Sequence, residues 1–118
     1  MLTLSQDIKI YIYTAKVDMR KAIDGLAYIV INEMQLDPQS KSLFIFTGRS
    51  SNKIKALFWD HNGFVLLYKR LERDRFIFPK NIEGEYYTIE SNLLKLLLRG
   101  FDFYKLIEHD DLNPINYF

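Results

Sequence analysis

Asp18, Asp24 and Asp60 are the carboxylates that raise a chemical question in this 118-residue chain. A two-metal nuclease site needs several carboxylates converging on ions about 4 Å apart. Each of the three also has a structural role to fill. Asp18 precedes an apolar-periodic segment and suits a helix N-cap. Asp24 follows Arg20 and Lys21 at the spacing of helix ion pairs. Asp60 opens "DHNG", a turn. His61 lies in that turn, as a solvated surface residue. His109 sits in "EHDD", Glu108 to Asp111, where a metal site competes with a solvated acidic face. No glycine-rich phosphate loop or nucleophile elbow occurs. The expectation is a protein with no catalytic residue, no metal, no cofactor and no small-molecule substrate.

Basic residues offer a second chemistry. "KRLERDR", residues 69–75, holds Lys69, Arg70, Arg73 and Arg75 against Glu72 and Asp74. Its surplus of positive charge is small, so it needs Arg49, Lys53 and Lys55 beside it to hold phosphates. "DMRK", residues 18–21, places Arg20 and Lys21 at an expected helix start, where free N–H groups also favour anions. Pairing of those cations with Asp24 is the alternative. Trp59 and Tyr68 could stack on bases, although aromatic residues in strands are more often core. The formal net charge of +1 hides an asymmetry: residues 47–80 carry eight basic and three acidic groups, and residues 81–118 three basic and seven acidic. An acidic tail folded onto the basic segment is therefore the other reading of that segment.

The elements that must position these groups follow from periodicity. Ile8, Ile10 and Ile12 alternate with Lys9, Tyr11 and Tyr13, which predicts a strand with one apolar face. Met19, Ala22, Ile23, Leu26, Val30 and Met34 recur at helical spacing after Asp18. Gly25 weakens that helix, or lets a neighbour approach. "LDPQSKS" is a turn, with Pro38 barring helix continuation. "LFIFT" is apolar on both faces and reads as a central strand. Strands 54–59 and 64–71 should form a hairpin through "DHNG", with Gly63 in a left-handed conformation. "RFIFP" suggests a short edge strand stopped by Pro79. "SNLLKLLLRG" is a helix capped by Ser91 and ended by Gly100. The order β-α-β-β-β-(β)-α gives one α+β domain over residues 1–118, with a mostly antiparallel sheet of four to five strands, two helices and an irregular tail from about 102. With no cysteine, no basic-then-apolar leader and no apolar run of about 18 residues, a cytoplasmic, non-membrane protein is expected.

"YTAKVDMRKAIDGLA", "LDPQSKSLFIF" and "KALFWDHNGFVLLYKRLERDRFIFP" together resemble TnpB accessory proteins, the second-open-reading-frame products of insertion-sequence-66-type bacterial transposable elements. The resemblance runs from about residue 8 to residue 101. The larger RNA-guided nucleases of the same name have nothing in common with it. It implies a part in transposition beside a separate, co-encoded transposase that carries the catalytic acidic residues. The hallmark positions are Asp18, Met19, Arg20, Lys21, Asp24, Gly25, Leu26, Trp59, Asp60, Gly63, Tyr68, Lys69, Arg70 and Leu71. Ala22 stands where the family usually has glycine, and "GRSSNK" where it usually has more arginine, which implies weaker DNA affinity. The resulting expectation is a non-enzymatic transposition accessory, nucleoid-associated if it binds DNA, that contacts DNA through Arg20, Lys21, Arg49, Lys53, Lys55, Lys69, Arg70, Arg73 and Arg75. The alternative is an interaction module that binds the transposase or a sister accessory subunit without touching DNA.

Overall fold

The computed structural model describes residues 8–98, 101–102 and 107–108. Five strands form one sheet: β1 (Lys9–Val17), β2 (Ser42–Gly48), β3 (Lys53–Asp60), β4 (Gly63–Arg70) and β5 (Tyr86–Ile89). Helix α1 (Ile23–Asn32) joins β1 to β2, and α2 (Ser91–Leu98) follows β5. The sheet order is β4-β3-β2-β1-β5. Three of its pairings are antiparallel, and β1–β2 is parallel because a helical crossover separates the two strands. Strands β6 (Phe101–Asp102) and β7 (Ile107–Glu108) make a separate small pair. The Gly100 helix stop and the acidic cluster from His109 onward lie outside the described residues.

Each face of the sheet buries its own core. Ile10, Ile12, Leu43, Ile45, Ile54 and Phe58 meet α2 through Leu94 and Leu97. Phe44, Phe46 and Leu57 meet α1 through Leu26, Ile29 and Val30. Every residue of β2 is buried, as its two apolar faces require. The α+β class therefore holds.

Four local expectations need correction. Asp18 does not cap α1, which starts at Ile23 with Ala22 as its cap residue and no side-chain cap bond. The Asp18 carboxylate accepts instead from the Arg20 backbone N–H at 2.9 Å and from the Arg20 guanidinium at 2.6–3.1 Å. This local bonding turns the chain before the helix begins. Arg20 is thereby taken by Asp18 rather than by Asp24. "RFIFP" is not a strand; it crosses the α2 face with Phe76 buried in the core, and the outer strand beside β1 is "YYTI". Gly25 grants no close approach beyond the Lys21 side chain, 3.4 Å from an added Cβ.

The fourth correction concerns the hairpin, which pairs Lys53 with Arg70 through to Asp60 with Gly63. Its left-handed residue is His61, at φ 55°, and not Gly63. The Asn62 N–H donates to the Asp60 carbonyl at 2.5 Å, which closes a three-residue turn around His61. An added Cβ at Gly63 meets open space. We therefore expect Gly63→Ala to change stability by less than about 1 kcal/mol. His61→Val should cost more than about 1 kcal/mol, because a β-branched residue fits the left-handed region poorly. Urea denaturation of the two variants checks this; a larger loss for Gly63→Ala contradicts the turn geometry.

Candidate nucleic-acid interface

Parallel pairing of β1 with β2 decides where the basic residues go. Val17 lies beside Gly48, so the "DMRK" turn after β1 and the loop after β2 leave the sheet at one end. The hairpin brings Lys53 and Arg70 to that same end. Beyond Arg70 the chain is tied back by the Leu71 N–H to the Asn52 carbonyl at 2.7 Å, and by the Phe76 N–H to the Ser51 carbonyl at 2.8 Å. Residues 16–21, 48–53 and 70–76 thus form one pole, with eight basic and three acidic side chains.

Four of the nine expected phosphate-binding residues are already engaged. Arg20 pairs with Asp18, and this pairing holds the Asp18 carboxyl well below the usual carboxylate range. Arg70 donates to Glu72 at 2.7 and 3.1 Å, again lowering the carboxyl pKa. Both pairs are more than two-fifths exposed on each partner, so they are weak and open to exchange with an incoming anion. Lys55 and Lys69 are structural. The Lys55 ammonium donates to the backbone carbonyls of Met19 at 2.7 Å and Lys21 at 2.8 Å, and so holds the "DMRK" turn against β3. Lys69 donates to the Leu98 carbonyl at 2.8 Å, at the C-terminal end of α2 where a cation is favoured. Burial pulls the Lys69 pKa down to about 8. Lys69 and Arg70 serve opposite faces of the sheet, as strand alternation requires.

Lys21, Arg49, Lys53, Arg73 and Arg75 remain, with no carboxylate partner among the described residues. Lys16, which periodicity did not single out, lies at the margin of the pole, with its ammonium turned onto the Ser51 hydroxyl. Ile12 pairs with Ile45 but Lys16 pairs with Thr47, so two extra residues bulge β1 and break its period-two pattern before Lys16. Continuation of the strand past Thr14 was the one available signal.

The aromatic residues divide. Trp59 is half-buried at the hairpin tip, edge-on to Phe64 with centroids 4.9 Å apart, and does not reach the pole. Tyr68 is not core: it is 53% exposed, with the Lys55 ammonium 5.7 Å from its ring centre. The carboxylates divide as well. Asp60 is five residues along β3 from Lys55, about 17 Å away at strand rise, so it cannot converge with Asp18 and Asp24. Among the described residues no three His, Asp or Glu side chains form a group able to hold a metal. Among them, too, no helix is long and apolar enough to cross a membrane.

The model of the family described as IS66 Orf2 like protein matches residues 8–108. Two proteins of Sinorhizobium fredii (strain NBRC 101917 / NGR234) are similar over 102 residues. Uncharacterized protein y4hO is 37% identical, covering 86% of this chain and 88% of that protein. Uncharacterized protein y4jC is 29% identical, covering 86% of each. No solved structure matches the chain. With the "DMRK" turn, the "WD-x-x-GF" hairpin and "YKRLE" all inside the matched span, the chain belongs to the IS66 Orf2 like family, the accessory proteins of IS66 transposition.

Proposed function

We propose that the protein acts in IS66 transposition without catalysing a step, by holding DNA on its basic pole in the bacterial cytoplasm, at the nucleoid. The observation that carries this reading is the convergence of Lys21, Arg49, Lys53, Arg73 and Arg75 from three chain segments, none of them paired with a carboxylate among the described residues. Arg20 and Arg70 can add to them by exchanging their surface partners. Contacts of this kind position a protein on a duplex and do not read its sequence. Fluorescence anisotropy with a labelled duplex tests the reading. About four phosphate contacts give a slope of log affinity against log salt near −3.6. Undetectable binding at low salt would remove the DNA contact.

A second reading is favoured by the edge of the sheet. β4 has no proline and no bulge, and its partner register is one-to-one throughout. Leu67 is 43% exposed there beside Tyr68. Among the described residues β4 is paired on one side only, and such an edge strand is a template for another chain. The partner would be the co-encoded transposase or a sister accessory subunit. Its recovery in a pull-down that survives nuclease, and its loss with Leu67→Lys, would support this reading.

A further inference from the structure

A cleft of about 630 Å³ opens beside the pole, between the end of β1 and the segment of residues 75–82. Lys16, Arg75 and Lys80 line it, and among the described residues none of its lining is acidic. The Lys16 ammonium donates to the Ser51 hydroxyl at 2.8 Å and stands 5.2 Å from the centre of the Phe78 ring. Loss of water lowers the Lys16 pKa, so its charge is held there at a cost that no carboxylate among the described residues offsets. The Ser51 oxygen accepts from Lys16, which leaves the Ser51 proton and the other Lys16 protons to donate to an anion. Ser51 and Asn81, on the two walls, both have left-handed backbones at φ 62° and 61°. Such conformations persist where the surroundings impose them, and they cluster at binding sites.

We infer that this cleft binds one phosphate-bearing nucleotide unit, with its phosphate on Lys16 and Ser51 between Arg75 and Lys80, and its sugar or base against Phe78. The volume is that of a small-ligand pocket. A cavity of about 630 Å³ has room for one nucleotide and not for a base-paired duplex, so an unpaired strand or a free nucleotide is the ligand. This extends the nucleic-acid reading of the pole from duplex phosphates to a single unpaired nucleotide, and it stands or falls separately.

The test uses the whole chain with three probes: a labelled thymidine decamer, a labelled duplex, and thymidine monophosphate followed by calorimetry. Lys16→Met should weaken decamer binding by about tenfold or more, the size of one lost charge-assisted phosphate contact, while duplex affinity changes less than about twofold. Binding of the monophosphate alone, lost in Lys16→Met, would identify a free-nucleotide site; binding of the decamer alone would identify a strand site. Equal weakening on decamer and duplex would overturn the inference in favour of a general field effect. Decamer binding that Lys16→Met leaves unchanged would also overturn it, as would no binding of either single-stranded probe by the unmodified chain. If Lys16→Met fails to fold, Lys80→Gln carries the same comparison, with the same results deciding.

Discussion

Lys55→Met is expected to lose about 2–3 kcal/mol of stability, since it strips a charged donor from two backbone carbonyls at once. For a domain of this size that is a fall in melting temperature of roughly 10–20 °C. The loss comes from the Met19 and Lys21 carbonyls, which Lys55 alone ties to β3 among the hydrogen bonds of the described residues. Lys53 lies two residues away on the same face of β3 and, among the hydrogen bonds of the described residues, ties no carbonyl of the turn. Lys53→Met should therefore change stability by no more than about 0.5 kcal/mol. Thermal unfolding of both variants checks the contrast. Equal effects would mean that the "DMRK" turn is not held by Lys55.

Gly48→Ala is the second large effect. The methyl group it adds would sit 2.8 Å from Cγ of Met19, which is closer than packed atoms come. Gly48 is buried in β2 beside Val17, so the strand cannot move aside. Met19 must shift instead, at about 1–3 kcal/mol, the usual cost of overpacking. Met19→Ala removes the obstructing atom and loses some packing of its own. The double variant should then be at least about 1 kcal/mol more stable than the sum of the single losses. Additive losses in chemical denaturation would show that Met19 and Gly48 do not bear on each other. Together the two results assign "DMRK" a role as a docked turn, held by Lys55 from β3 and seated on Gly48 of β2. Its hallmark residues then shape the pole.

Much of this fold was legible where apolar residues alone decide. The two-faced apolar run of β2, the isoleucine face of β1 and the leucine stripe of α2 all lie where periodicity puts them. The misreadings have separate causes. Asp18 looks like a cap until Arg20 claims its carboxylate. Gly63 looks like the left-handed residue, yet the two-residue register of the hairpin puts that strain on His61. "RFIFP" has the pattern of a strand, but Phe76 is drawn under the sheet into the core. The site was legible as a list of cations and not as an assembly. Lys55 and Lys69 read like Lys53 until the backbone carbonyls they bind are known. The parallel pairing that brings residues 16–21 to the pole depends on a crossover that no local spacing reports. Lys16 was hidden by a bulge of two residues.

The salt dependence of duplex binding reports how the charges of the pole are divided between structure and phosphate contact. Anisotropy titrations between low and moderate salt would compare the unmodified chain, Arg49→Ala with Arg73→Ala, and Lys69→Met alone. The unmodified slope is expected near −3.6, and the arginine pair should flatten it by about 2 with little change in melting temperature. Lys69→Met should leave the slope within about 0.5 of the original, because that amine is spent on the Leu98 carbonyl. A slope that Lys69→Met flattens by about 1 and the arginine pair leaves unchanged would contradict the account.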